Sequence, residues 1–284
     1  MSVHIPYRIH RQTVYEHLVV KVWTRAGTRI ADKRNGLAAL DPLMGGDVIL
    51  VIGGTGVAKT ALAQNIVLQV CLPSPTLFFE VELTEEKMFR RFIQVRTGQT
   101  RDEVMEMYRQ KAGPGRPMLE REFRNLHICP LSKLDTAKIE EVIRQSALKI
   151  GAAPTNVVID YAQLIKSEGK SRYERASNVA EDLKVIAKAC DVRMFVLSQI
   201  GRPAKEDEKS NAKGVGLHDA KDSGSLENSS ALALGIWRDA HDPTLLTLRV
   251  LKATEGGAGM IVKCDFDGTN LRITQRDDPP STED

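Results

Sequence analysis

Ten consecutive residues, Val51-Ile52-Gly53-Gly54-Thr55-Gly56-Val57-Ala58-Lys59-Thr60, restrict this 284-residue chain more than any other stretch. An apolar run ends in a glycine cluster, and a lysine and a hydroxyl follow where helical periodicity begins. Glycines let the backbone turn successive N–H groups inward, and the helix adds the positive end of its dipole, so the segment is suited to cradling phosphates. In that arrangement the amides of Gly53, Gly54, Thr55, Gly56, Val57 and Ala58 surround the β- and γ-phosphates of a nucleotide. Lys59 reaches the terminal phosphates, and the Thr60 hydroxyl ligates Mg²⁺. The pattern G-x-x-x-x-G-K-[ST] is broken once, because Ala58 stands at the second glycine position, where a methyl group restricts the backbone. A Gly/Ala-rich turn that opens a helix without nucleotide is the plainer alternative, and the strand-loop-helix context weighs against it.

The rest of the chain alternates short β-branched runs with helical periodicity, which predicts crossover units and a parallel sheet buried between helices. Strands are expected at residues 48–52, 76–81, 126–129, 156–160 and 193–197, and helices at 59–70, 84–96, 136–149 and 174–190. After Asn228 the texture changes to antiparallel-looking strands at 231–237, 245–251, 260–266 and 271–274, separated by turn signals. The fold class expected is α/β: a mostly parallel central sheet flanked by helices, extended by antiparallel strands. With 42% hydrophobic residues the chain can bury such a core. Residues 1–34 form a basic arm with seven basic against two acidic side chains, and its apolar residues between Gln12 and Thr24 fit a helix that packs on its own domain or on a neighbouring subunit. Residues 35–275 make the main domain, and 276–284, with four acidic side chains, read as a disordered tail.

Forty Lys+Arg against thirty-seven Asp+Glu leave a net charge of +3, so any nucleic-acid surface must be local rather than chain-wide. No apolar stretch approaches the ~20 residues that span a bilayer, and no secretory segment follows Met1, so no membrane partner and a cytoplasmic location are expected. Cys71, Cys129, Cys190 and Cys264 lack C-x-x-C spacing and are expected to be buried reduced thiols.

Three further positions fit the chemistry of a phosphate loop. Val157-Val158-Ile159-Asp160 is an apolar strand ending in a carboxylate, which beside the loop strand would orient Mg²⁺. Glu80 and Glu82 lie two residues apart at the end of the second strand, hence on one face, and either can orient or deprotonate an attacking water. Gln199 ends the strand that contains Phe195 to Ser198 and offers a neutral donor to a γ-phosphate.

Taken in order, these elements resemble the RecA-like ATPase domain of hexameric replicative DNA helicases of the DnaB type, across roughly Arg34 to Ile273. Gly36-Leu37-Ala38-Ala39-Leu40-Asp41 resembles the segment that leads into the loop strand. Phe78-Phe79-Glu80-Val81-Glu82-Leu83-Thr84 is similar to the family's catalytic-glutamate strand, and the resemblance assigns that role to Glu82. Asp160-Tyr161-Ala162-Gln163-Leu164 resembles its Walker B signature, with alanine at 162 where leucine is commoner. Leu197 to Arg202 resembles the sensor segment containing Gln199, and Asp219 to Glu227 the signature after the second DNA-facing loop. The resemblance implies ATP and Mg²⁺ as cofactors, a ring, commonly a hexamer, and single-stranded DNA as partner, with a loader or primase as further partners. The family's N-terminal primase-interacting domain has no counterpart here, so a minimal form is expected.

The DNA candidates are Lys170, Arg172 and Arg175 in the segment 166–175, and Lys205, Lys209 and Lys213 in 202–221, both after strands of the expected sheet. Lysines and arginines on such segments hold phosphates without reading sequence. The family's K-x-R strand end, whose arginine reaches a neighbour's γ-phosphate, reads Lys252-Ala253-Thr254. Lys252 is therefore the expected trans cation, with Arg238 and Arg249 as substitutes and slow hydrolysis as the alternative. A recombinase-like ATPase and a weakly hydrolysing nucleotide-gated loader or scaffold are the rival functions.

Overall fold

The computed structural model describes residues 43–70, 74–111, 121, 123–131, 133–200, 215, 224–239, 241–254, 258–276 and 281–282. The basic arm 1–34, Cys71, Lys205, Lys209 and Lys213 lie outside the described residues.

Strand β1 (Val48–Gly53) is buried along its whole length, because it runs through the middle of the sheet with helices on both faces. The order continues with helix α1 (Lys59–Val70), β2 (Thr76–Glu80), α2 (Glu85–Thr97), α3 (Arg101–Arg109), β3 (Leu126–Pro130), β4 (Leu134–Asp135) and α4 (Thr136–Ile150). Next come β5 (Asn156–Asp160), a 3₁₀ turn (Ala162–Leu164), β6 (Ile165–Lys166), α5 (Arg172–Ala189), β7 (Arg193–Gln199) and α6 (Gly224–Ser229). The chain ends with β8 (Leu232–Arg238), β9 (Leu245–Ala253), β10 (Met260–Asp267), β11 (Arg272–Gln275) and β12 (Ser281–Thr282).

The main sheet has the order β11-β10-β9-β8-β1-β7-β5-β2-β3, with β12 also on β10, while β4 and β6 form a separate pair. From β8 to β3 every neighbour is parallel; β8 to β11 are joined antiparallel. The two faces divide by period two. Ile49, Val51, Phe78, Val158 and Phe195 pack on the side of α1 and α2, whereas Val48, Leu50, Phe79, Val157 and Val196 pack with α4 and α5. Each such buried aliphatic or phenyl group contributes about 1.5–3 kcal/mol relative to exposure.

The antiparallel extension is fastened to the first layer by polar side chains. Asn65 on α1 donates to Leu271 O at 2.8 Å and accepts from Ile273 N at 3.1 Å. Arg272 donates to Val95 O at 2.9 Å and Arg96 O at 3.1 Å, carbonyls in the last turn of α2, and Gln94 donates to Thr269 O at 3.0 Å. A Cβ on Gly98 would lie 2.6 Å from the Arg272 guanidinium, so a glycine at φ 77° both ends α2 and admits its cap.

Several expectations change. β8 is parallel to β1 rather than part of an antiparallel run. Strand β2 stops at Glu80, α5 starts at Arg172, and α3 was not foreseen. Within the expected disordered tail, Ser281 and Thr282 pair with Ile261 and Met260. Cys129 and Cys264 are buried thiols whose pKa values burial pushes up to about 12, but Cys190 is only half-buried. Among the described residues no helix is long and apolar enough to cross a membrane.

Candidate nucleotide site

All five parallel ladders of the main sheet run the same way, so the carboxyl ends of β1, β2, β5 and β7 meet at one edge, where loops carry ligand sites in open α/β sheets. The phosphate loop sits there. A Cβ on Gly53 would lie 2.7 Å from Ile236 O of β8, so only glycine lets the two backbones approach this closely. Gly56 has φ 77° and Ala58 has φ 75°. Ala58 thus holds the left-handed conformation a glycine would adopt freely, the specific consequence of the broken pattern.

Lys59 Nζ donates to Gly53 O at 2.9 Å and Gly54 O at 2.6 Å, curled back over its own loop. Burial lowers its pKa, and Asp160 and then Glu82 oppose the shift. Thr60 Oγ1 donates to Asp160 Oδ2 at 2.6 Å, joining α1 to the end of β5. The Asp160 carboxyl is raised by burial, against the Thr60 hydrogen bond and Lys59. A hydroxyl and a carboxylate this close are the hard oxygen donors that Mg²⁺ takes from a protein when phosphates and water supply the rest. The residues fit that ion, and a dication there would relieve the buried negative charge.

Glu80 and Glu82 do not share a strand face. Glu80 is the last residue of β2, in register with Asp160, and is buried; Glu82 lies on the bend beyond it and is exposed. Tyr161 Oη donates to Glu82 Oε1 at 3.1 Å. The Glu80 carboxyl is pushed up to about 7, first by burial and then by the Asp160 charge, against hydrogen bonds from the Leu83 and Glu82 amides.

Gln199 Nε2 donates to Thr55 Oγ1, so the end of β7 touches the phosphate loop. Gln163 locks this end in place: its Nε2 donates to Ser198 Oγ and Gln199 O, each at 2.9 Å, and its Oε1 accepts from Gln199 N at 3.1 Å. Tyr161 and Gln163 were not singled out as site residues from sequence, and neither was Arg91. Arg91 on α2 is half-buried with its pKa lowered by burial, and Glu80 and Asp160 act on it. It follows Met88 by three residues and precedes Val95 by four, and that charge on an otherwise buried stripe was the available signal.

The trans candidates are tied within their own chain. Lys252 Nζ donates to Glu227 O at 2.9 Å and Asn228 O at 3.1 Å, near the end of α6. It pairs with Ala233, toward the amino edge of the parallel strands, whereas Ile236 pairs with Gly53 at the loop. Thr254 is exposed and its hydroxyl donates to Ala231 O at 3.4 Å. Arg238 Nε donates to Pro243 O at 2.9 Å, with its guanidinium 5.2 Å from the Phe266 ring centre. Arg249 on β9 is half-buried and also makes an interaction.

Lys170 and Arg175 are exposed at the start of α5, and Arg172 lies in its first turn rather than in a loop. Ser171 caps that helix by accepting from Glu174 N at 3.0 Å. Basic residues at a helix amino terminus add to the positive end of its dipole, which disfavours them unless an anion binds.

Residues 33–273 match the model of the DnaB-like helicase C-terminal domain. A replicative DNA helicase DnaB of Treponema pallidum is 27% identical over 249 residues, 84% of this chain and 55% of that protein. One of Geobacillus stearothermophilus is 24% identical, covering 80% of this chain and 53% of its own. The chain therefore spans about half the length of these curated relatives. Among solved structures, one ATPase domain superposes with a TM-score of 0.72 at 20% identity, covering 83% of this chain and 86% of that one. A DnaB-like replicative helicase described with its primase interactions gives 0.71 at 21% identity, covering 81% and 57%. The sheet order, the loop between β1 and α1 and a match over most of the chain agree: the RecA-like fold described above is that of the DnaB-like helicase C-terminal domain family, to which this chain belongs.

Proposed function

We propose that this chain is the motor of an ATP-driven DNA helicase that moves along single-stranded DNA during replication. The observation that carries the reading is the gathering of Lys59, Thr60, Asp160, Glu82 and Gln199, from four separate stretches of chain, at the carboxyl edge of one sheet. In the proposed cycle Lys59 exchanges its two loop carbonyls for phosphate oxygens, and the amides from Gly53 to Ala58 orient the phosphates. Thr60 and Asp160 would hold Mg²⁺, which would supply neutralisation of the phosphate charge. Glu82 accepts the proton of the attacking water on Oε2, since Tyr161 engages Oε1. Gln199, already at Thr55, reads the γ-phosphate and passes its state through Gln163 to the segment 166–175.

The nucleotide is proposed to lie between subunits of a cytoplasmic ring, a hexamer as in the family, with single-stranded DNA on Lys170, Arg172 and Arg175 and on Lys205, Lys209 and Lys213. A loader or primase is the proposed protein partner. Ala58 at φ 75° and threonine at 254 favour one second reading, a slowly hydrolysing nucleotide-gated scaffold. ATP hydrolysis measured with and without single-stranded DNA, alongside Glu82→Gln, separates them. DNA-stimulated turnover that stops in Glu82→Gln while nucleotide binding persists supports the motor. Turnover that ignores DNA favours the scaffold, and normal hydrolysis by Glu82→Gln refutes the site.

A further inference from the structure

Glu80 has no part in the cycle above, yet it is an expensive residue to keep. It is 2% exposed, and its Oε2 is buried without a hydrogen-bond partner. A buried carboxylate costs free energy unless its hydrogen bonds offset the lost hydration. Those bonds are all on Oε1, which accepts from Glu82 N at 2.8 Å and Leu83 N at 2.9 Å.

Their location is informative. Both ladders of β2, to β3 and to β5, end at Glu80, paired with Pro130 and Asp160. Residues 81–83 form a bend before α2, whose amino-terminal cap, Thr84, follows at once. The Glu80 carboxylate therefore continues by side chain the hydrogen bonding that the sheet has ceased to supply, and it does so on the amide of the residue that carries the proposed base. Tyr161 restrains the same residue from the other side, at its carboxylate.

We propose that Glu80 is a positioning residue: by pinning the amides of Glu82 and Leu83 it fixes the bend that presents the Glu82 carboxylate to the attacking water. The proposal rests on the role given to Glu82 above. It makes the acceptor oxygen, not the negative charge, the feature that matters, because an amide oxygen in the same place takes the same two N–H bonds.

The test compares steady-state ATP hydrolysis by wild type, Glu80→Gln, Glu80→Met and Glu82→Gln, each checked for a cooperative thermal transition and for binding of a non-hydrolysable ATP analogue. Glu80→Met keeps length and burial but removes the acceptor, so kcat should fall roughly 10- to 100-fold, as expected for a misplaced catalytic group, with KM for ATP unchanged. Glu80→Gln should recover most of that loss, and amide exchange across residues 81–84 should be fast in Glu80→Met and slow in Glu80→Gln. If Glu80→Met does not fold, Glu80→Ala, whose methyl group offers no acceptor to either amide, takes its place. Wild-type kcat in the acceptor-less variant while Glu82→Gln is dead overturns the proposal and leaves the site intact. Equal loss in Glu80→Gln and Glu80→Met overturns it by making charge the essential feature. Normal turnover by Glu82→Gln removes the reading of the site, and this proposal with it.

Discussion

Ala58→Gly isolates one atom group in the phosphate loop. At φ 75° an L-residue brings its Cβ against its own backbone, which costs roughly 1–2 kcal/mol. Glycine removes that cost but gains freedom in the unfolded chain; an alanine that occupies positive φ is a net loss of more than the roughly 0.4–1 kcal/mol such exchanges otherwise yield. The methyl group is half-buried against the core on the α1 and α2 side of the sheet, so its lost packing is a fraction of the ~0.8 kcal/mol assigned to a fully buried methylene. The balance is about 0.5 kcal/mol in favour of glycine, which for a domain of this size raises Tm by roughly 1–2 °C. Thermal unfolding of the two proteins by circular dichroism, without nucleotide, measures it directly. An unchanged or lowered Tm would refute the reasoning, because position 58 would then not hold a left-handed conformation in solution. Isothermal titration with ATP analogue follows the second consequence: a loop freed of the strained alanine should bind no more weakly than wild type.

Two other predictions concern charge. The Glu80 carboxyl is raised from 4.5 to about 7, so between those values the folded chain holds a proton the unfolded chain has released, and stability falls as pH rises through that window. Urea midpoints for the metal-free protein should fall over that interval, and Glu80→Gln should flatten the decline; a slope of opposite sign would refute the assignment. Replacing Lys170, Arg172 and Arg175 together by alanine should weaken single-strand affinity for all sequences and lower the log–log salt slope by ~0.7 per lost phosphate contact. Fluorescence anisotropy over a salt series reads both, and an unchanged slope moves the DNA path off the start of α5.

What the sequence displayed and what it hid follow from range. β1, α1 and β5 were legible because a continuous apolar run, a glycine cluster and a terminal aspartate are local signals, and their bounds differ from expectation by at most one residue. Helix α3 was missed because only Val104 is buried along it; its capping box, Thr100 with Glu103, was the readable sign. The shared face of Glu80 and Glu82 failed because period two was extended past the end of β2. The parallel direction of β8 is not encoded in its apolar texture at all; it depends on which neighbour it meets, here β1. Arg91, Tyr161 and Gln163 became site residues only when the topology brought α2, β5 and β7 to one edge.

The same long-range logic bears on the missing arginine. The sequence presents Lys252 as the expected trans cation for a neighbour's γ-phosphate, but its ammonium is half-buried, lowered in pKa by burial, and bonded to two carbonyls near the end of α6. To reach a neighbour's phosphate it would have to give up both charge-assisted bonds, each worth roughly 1.5–3 kcal/mol. Thr254 is better placed to act outward: it is exposed, just beyond β9, and its hydroxyl is held by a long bond to Ala231 O. An arginine there would extend past the strand end with its fork free for a phosphate, the geometry that a lysine lacks. Thr254→Arg should therefore raise turnover in assembled rings and lose that gain on dilution to monomers, whereas Lys252→Ala should lower Tm through the loss of its hold on α6. Coupled-enzyme hydrolysis assays against protein concentration, with electron microscopy to establish rings, measure the first effect, and thermal unfolding the second. If Thr254→Arg leaves the rate unchanged in demonstrated rings while Arg249→Ala abolishes it without loss of folding, the trans cation is on β9 itself and the argument from Thr254 fails.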